Sequence, residues 1–402
     1  MQAEKDIVNM AFEMERELKE NILEYWISHS PDQKYGGFAG HINSDNTVEE
    51  HAPKGAVLNA RILWTFSAAY ILYRDNRYLE MAERAFSYIR EHFIDREYGG
   101  VYWELDYSGK PRNSRKQIYA LAFVIYAMTE YHMATSDREA LDIAKNLFHL
   151  IEEKSFDREK NGYLEALGRT WKPLQDLRLS KKDANESKTM NTHLHILEAY
   201  ANLYRVWKDR KLADALQNVL LLFAEKFLDT RSYHVNMFFD DDWNLKSDLI
   251  SYGHDIETSW LMLEGAEILG NDALIELVKP LSVNIARVSL NALDHQHGLI
   301  NEAFPSRGEI DTDRHWWHQA EAIVGYYNAY EVSGDARFAH EAVLSWNFTN
   351  QYIIDHTLGE WFWKVNKDGN PCLTDEKAGF WKCPYHNSRA CMEIIKRTSK
   401  QT

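Results

Sequence analysis

The sequence is short of cysteine and of positive charge, and each shortage removes a class of function. Its three cysteines, Cys372, Cys383 and Cys391, are an odd number crowded near one end without a CxxC pair, so a disulfide framework is not expected and a reducing compartment fits best. Lys and Arg number 46 against 61 Asp and Glu, and the resulting charge of -15 repels phosphate backbones and anionic lipid, so nucleic acid and membrane surfaces are not expected partners. Neither GxGxxG nor GxxxxGK[ST] occurs, which argues against nucleotide-dependent chemistry, and there is no HExxH zinc pair. No apolar run is read as long enough to cross a bilayer, and residues 1–10 hold no basic stretch followed by an apolar core; the cytoplasm is the expected location. Linkers and low-complexity tracts are missing too, so the 402 residues read as a single domain, 1–402, built on one repeated unit.

That repeat is visible. An Asp with the look of a helix N-cap, followed by an amphipathic run, recurs at Asp75, Asp137, Asp209, Asp272 and Asp335, with spacings of 62, 72, 63 and 63. A glycine turn flanked by aromatic or aliphatic residues recurs at Gly37, Gly100, Gly162, Gly298 and Gly359, with spacings of 63, 62, 136 and 61. The double gap leaves room for a glycine-free equivalent around residues 236–242, giving six units. Each unit reads as a helix, a long loop with a short hairpin at the glycine, a second helix and a tight turn at the Asp. First-of-pair helices are predicted near 3–28, 77–94, 138–155, 210–228, 272–290 and 336–354, and second-of-pair helices near 55–73, 114–134, 187–207, 253–269, 316–333 and 385–397. Six equal helical hairpins close into an all-α (α/α)6 barrel with the second-of-pair helices inside; an open solenoid is the competing arrangement. The long loops all open at one end, so that end is expected to carry the function.

Polar residues unsuited to a core cluster at the N-terminal turns of the inner helices: Arg61, Tyr119, Asn191 with His195, His254 with Glu257, Trp317 with Glu321, and His386. The pairs are three or four residues apart, which sets each on one helix face. His193 lies two residues from His195 and must face away from it. Imidazoles suit proton transfer, since their ordinary pKa of about 6.5 lets them act as acid or base near neutrality. A metal held by His195, His254 and His386 is the rival reading. Aromatics are dense, with 13 Trp, and Trp317 and Trp381 sit beside these candidates, as suits stacking on the C–H face of a sugar. Asp183, Glu257, Glu302 and Glu321 could bind hydroxyls, support a histidine or, as in other barrels of this kind, act as a hydrolytic carboxylate pair.

Four segments, MNTHLHILEAY (190–200), YGHDIETSWL (252–261), RHWWHQAEA (314–322) and WKCPYHNSR (381–389), together resemble the N-acylglucosamine 2-epimerase superfamily, over essentially the whole chain. The likeness is greatest to its disaccharide-epimerising branch, through GFWKCPYHN (379–387) and HWWHQAE (315–321). The resemblance implies a carbohydrate isomerase that needs no cofactor or metal. The substrate implied is the reducing-end glucose of a β-1,4-linked disaccharide such as cellobiose or lactose, converted to mannose at C2 through an enediol. His254 and His386 would then exchange the C2 proton, His195 would assist ring opening or stabilise the intermediate, and Arg61 would bond the enediolate oxygen. Tyr119, Asp183, Asn191, Glu257, Glu302, Trp317 and Trp381 would hold the sugar or orient a histidine. A monomer or weak homodimer is expected. Aldose–ketose isomerisation and N-acylglucosamine epimerisation are the nearest alternatives, and glycoside hydrolysis a more distant one.

Overall fold

Residues 2–399 are described by a computed structural model of the protein. Its helices are α1 (Gln2–Glu17), α2 (Glu24–His29), α3 (Ala56–Tyr73), α4 (Asn76–Tyr88), α5 (Ile118–Thr135), α6 (Arg138–Lys154), α7 (Met190–Val206), α8 (Arg210–Leu222), α9 (Tyr252–Leu269), α10 (Asp272–Ser289), α11 (Trp316–Ser333), α12 (Ala336–Phe348) and α13 (Tyr385–Ser399). A π-helical turn, Leu18–Leu23, joins α1 and α2 into one rod, so the described helices occupy twelve positions. Each of α3, α5, α7, α9 and α11 packs on the next, and α13 packs back on α3. That last contact closes an inner ring, with the other helices outside it: the fold is an (α/α)6 barrel, not an open solenoid.

The two rings differ in sequence because they differ in surroundings. Inner α5 buries every residue from Ile118 to Tyr131, since one face meets the barrel interior and the other meets the outer helices. Outer α4 buries Tyr78, Met81, Ala82, Ala85 and Phe86, an amphipathic stripe at spacings of three and four. Inner α3, Ala56–Tyr73, is long and apolar enough by composition to cross a membrane, contrary to the reading that no such run exists; 78% of it is buried in the barrel wall, which accounts for its hydropathy.

Asp75, Asp137, Asp209 and Asp335 cap their helices through main-chain N–H groups of the first turn. The cap of α10 is Asn271 rather than Asp272: its side chain takes the Ala273 and Leu274 N–H groups, and Asp272 falls inside the first turn. Outer helices α4, α8 and α12 end in π-helical turns, Ile89–Phe93, Phe223–Phe227 and Thr349–Ile353, where plain helix was expected.

Five inner helices are entered through two-residue strands, at 54–55, 116–117, 188–189, 250–251 and 314–315. Each pairs antiparallel with a strand of the following unit, as in Lys54↔Leu105, Lys116↔Leu167, Lys188↔Phe239, Ile250↔Ala303 and Arg314↔Val365. The bridge Ile42↔Ala378 does the same between the last unit and the first. This pairing is why α5 and α7 begin at Ile118 and Met190 rather than at 114 and 187.

A buried ion pair pins each entry strand to its glycine turn: Lys54–Asp32 at 2.7 Å, Lys116–Asp95 at 2.8 Å, Lys188–Asp157 at 2.8 Å, Arg314–Asp294 at 3.3 Å and Lys377–Asp355 at 2.6 Å. The fourth unit departs from the pattern. Ile250 stands where the others have a cation, and His234 Nδ1 meets Asp255 of α9 at 2.6 Å instead. Its turn runs through Asp229–Val235, with Tyr233 held at φ +61°, where the other units use Gly or Asn more often. The glycine equivalent is therefore at 233–234; residues 236–242 carry the strand that follows it.

Candidate active site

The strand-to-helix entries set the second and sixth residues of most inner helices toward the barrel interior. The second helical residue is Tyr119 in α5, Asn191 in α7, Gly253 in α9, Trp317 in α11 and His386 in α13. One turn on, the sixth is Arg61 in α3, His195 in α7, Glu257 in α9 and Glu321 in α11. Arg61, Tyr119, Asp183, Asn191, His195, His254, Glu257, Trp317, Trp381 and His386 all line one cavity of about 450 Å³. Glu302 does not. It lines an adjoining recess of about 100 Å³ that shares Asp183, Asn191 and His254 with the main cavity. His193 faces away, as spacing required: its Nδ1 meets the Thr189 carbonyl at 2.7 Å and its Nε2 accepts the Tyr163 N–H.

Each cavity histidine is held by its Nδ1. His386 Nδ1 lies 2.7 Å from Glu321 Oε1, His195 Nδ1 3.0 Å from Glu198 Oε2, and His254 Nδ1 2.7 Å from Ser251 Oγ. A carboxylate can only accept here, so His386 and His195 carry their proton on Nδ1 and leave the Nε2 lone pair free. Burial pushes all three below the ordinary imidazole value: His254 to about 3, with His195 adding to the effect; His386 well down, helped by Arg61 and Arg389; His195 less, because Glu198 opposes. They are neutral at pH 7.

The carboxylates behind them share one cation. The Arg389 guanidinium donates to Glu257 Oε1 at 2.7 Å and also to Glu321 and Glu198, while Tyr385 OH donates to Glu198. Burial and the neighbouring Glu321 push Glu257 up to about 8, and burial raises Glu321. Glu198 goes the other way despite its burial: Arg389, His195 and Tyr385 hold it at about 2. Ligand atoms of Glu257, Glu321 and His386 lie within 4.8 Å of one another, the spacing of a metal site, but Arg389 already supplies the positive charge bonded to both carboxylates.

Arg61 is fixed from three sides. Its Nη2 donates to Tyr119 OH at 2.8 Å, and its guanidinium carbon lies 4.2 Å from the Phe123 ring centroid and 4.9 Å from that of Tyr385. Trp317 touches both His254 and His386, with ring centroids 4.8 and 5.5 Å away, and Trp316, Trp363 and Trp381 complete an aromatic lining. Asp183 Oδ2 accepts the Ser180 N–H at 2.7 Å, and burial raises its pKa, as it does that of Glu302.

The sequence reading did not single out Arg389, Glu198 or Tyr385. Their signal was present: Arg389 is three residues after His386, and Glu198 three after His195, each on its histidine's helix face.

Comparison with known proteins agrees with this geometry. The family model for N-acylglucosamine 2-epimerase (GlcNAc 2-epimerase) matches residues 36–390. A Bacteroides fragilis protein named cellobiose 2-epimerase is 51% identical over 383 residues, covering 95% of this chain and 98% of that one. A Dictyoglomus turgidum protein of the same name is 36% identical, covering 98% of this chain and 100% of its own. The solved structure of cellobiose 2-epimerase from Bacillus thermoamylovorans B4167 superposes with a TM-score of 0.93 at 41% identity, over 97% of this chain and 99% of that one. On a family match over most of its length, and relatives of such identity over nearly all of it, the chain belongs to the N-acylglucosamine 2-epimerase family.

Proposed function

We propose that the protein inverts C2 of the reducing-end sugar of a β-1,4-linked disaccharide such as cellobiose or lactose, interconverting glucose and mannose units through an enediol. The observation that carries this reading is the pairing of His254 and His386 around one cavity, each against Trp317 and each tethered by Nδ1 so that Nε2 is the nitrogen left for chemistry. In the ring-opened aldose, the C2 proton is acidic because it is α to the C1 aldehyde. His386, neutral and backed by Glu321, takes that proton and becomes an imidazolium whose Nδ1–H bond to the carboxylate strengthens as charge develops. His254 takes up a solvent proton once the enediolate charge stands beside it and delivers it to the opposite face of the planar enediol, His386 then releases its proton to solvent, and in the reverse direction the two exchange roles.

Arg61 fits the developing enediolate oxygen. A fixed guanidinium in a dry site favours negative charge more as it grows, which lowers the barrier rather than merely tightening binding. Tyr119 OH, already accepting from Arg61, has its proton free to donate to the sugar. His195, held by Glu198, is placed to move a proton during ring opening. Four indoles line the cavity, and since one pyranose has only two faces, this lining suits two rings. Asp183, Asn191, Glu257 and, from the recess, Glu302 supply hydroxyl partners.

The hydrolase reading needs a carboxylate pair facing the bond to be cut. Glu257 and Glu321 are tied to the same guanidinium instead. The test is to incubate chelator-treated protein with cellobiose and analyse the products. Glucosyl-mannose is expected; glucosyl-fructose as the main product would mean aldose–ketose isomerisation, and free glucose would mean hydrolysis.

A further inference from the structure

The second position of α9 differs from that of four other inner helices. Where α5, α7, α11 and α13 send Tyr119, Asn191, Trp317 and His386 into the cavity, α9 has Gly253, and the catalytic histidine of that helix is the next residue, His254. The place of a side chain at 253 is taken by the neighbouring helix. A Cβ there would fall inside contact distance of His318 Cδ2 and lie 2.6 Å from Trp317 Cη2. His318 in turn packs against Trp317, with centroids 3.9 Å apart and the rings tilted by 40°, and Trp317 contacts the His254 ring.

His318 is a second oddity. It is 1% exposed, yet neither ring nitrogen has a close hydrogen-bond partner, although the Asn301 backbone lies near; burial, with the neighbouring histidines, keeps the ring neutral. Buried polar groups without close partners are uncommon and call for a reason. Here the ring fills the gap that Gly253 leaves and packs at an angle against Trp317.

We infer that Gly253 and His318 are positioning residues: together they let the first turn of α9 close directly on Trp317, and so fix His254 relative to the reacting carbon. The inference rests on the proposed two-histidine epimerisation. Either partner altered displaces His254; Trp317 shifts with it and also touches His386, but His386 keeps the Nδ1 bond to Glu321 that sets its position.

The experiment is proton exchange at C2 in deuterium oxide, begun separately from the glucosyl and the mannosyl epimer, for wild type, Gly253→Ala and His318→Ala. Wild type should exchange both epimers and interconvert them. In each variant interconversion should fall about a hundredfold, the loss expected for a displacement near 1 Å, with KM changed by less than about threefold. The epimer whose C2 proton His254 removes should lose exchange to the same degree, whereas the other should keep it within about threefold of wild type. A general loss of structure would lower both exchanges together, and that result, or retention of full activity, overturns the inference. His318→Ala carries the same test if Gly253→Ala fails to fold. In the double variant the loss should be less than the sum of the two single losses, because the methyl then meets Trp317 Cη2 but no longer the His318 ring; additive losses would overturn the inference. Absence of C2 exchange in wild type would instead refute the two-histidine reading itself.

Discussion

Glu321→Gln isolates the proposed base from the substrate. Glu321 does not line the cavity and is 1% exposed, so its effect on a sugar must pass through His386, whose Nδ1 it holds at 2.7 Å, while Trp260 Nε1 donates to its other oxygen at 3.0 Å. Three donors converge on this carboxylate: His386, Trp260 and Arg389. An amide offers one oxygen and one NH2, so in the variant a donor must face a donor. Either the Trp260 N–H goes unpaired or His386 is driven to the tautomer with its proton on Nε2, which cannot accept from C2. A hydrogen bond to a charged group contributes about 1.5–3 kcal/mol, which at about 1.4 kcal/mol per decade becomes a roughly 10- to 100-fold loss in kcat. KM should hardly move, because no sugar contact is removed. Initial rates with cellobiose measure this, alongside a Glu321→Gln/His386→Asn double variant that should be no slower than His386→Asn alone. A kcat unchanged in Glu321→Gln, or a loss expressed in KM, would refute the argument that the carboxylate acts through the imidazole.

Because burial depresses the cavity histidines, their neutral, proton-accepting forms persist as pH falls past the ordinary imidazole value; the acid limb of kcat/KM should lie below pH 6.5, and a limb centred at or above it would contradict the assignment. His193 behaves likewise in stability: burial sets its folded pKa at about 4, so its contribution is complete above about 6.5 and is lost as pH falls toward 4. Urea unfolding should show wild type losing about 2 kcal/mol more than His193→Gln between pH 7 and pH 5, and equal losses would show that the folded protein accommodates a charged ring there. Exhaustive chelation should leave epimerisation unchanged, since Arg389 occupies the charge position a divalent ion would need, and activity restored only by added metal would refute that view.

The architecture was legible because it repeats. Asp caps and glycine turns at near-constant spacing define units without any knowledge of contacts, but equal units fit a ring or an open solenoid alike, and it is the packing of α13 on α3 that closes the ring. What was not legible depends on pairing between units. Helices α5 and α7 start later than their apolar pattern suggests because Lys116–Gln117 and Lys188–Thr189 are claimed as strands by the next unit. The fourth turn was misplaced because Tyr233 adopts a left-handed backbone that its residue type gives no hint of. At the site, residues that point inward from helix starts could be read from spacing. Spacing puts Arg389 on the helix face of His386, but its role could not be read, since a buried arginine matters through three glutamates on three other helices, at sequence separations of 191, 132 and 68.

Those three glutamates pose an electrostatic problem whose solution shapes the chemistry. One guanidinium beside Glu198, Glu257 and Glu321 cannot neutralise three ionised carboxylates, and burial makes any excess charge expensive. The cluster resolves this by dividing roles: Glu198, held by Arg389, His195 and Tyr385, stays ionised, while Glu257, with Arg389 as its close donor, is pushed up to about 8 and keeps its proton at neutrality. On the cavity side Arg61 and Arg389 both disfavour a positive His386, which alone would make it too weak a base. Glu321, bonded directly to its Nδ1, offsets them only when the imidazolium forms. The arrangement therefore keeps His386 neutral at rest and stabilises its charge in the transition state, the differential effect that catalysis requires. It follows that the histidines cannot be understood apart from Arg389: removing that cation would leave the carboxylates to take up protons, Glu321 among them, and the base would lose its counter-charge although no atom touching the sugar had changed.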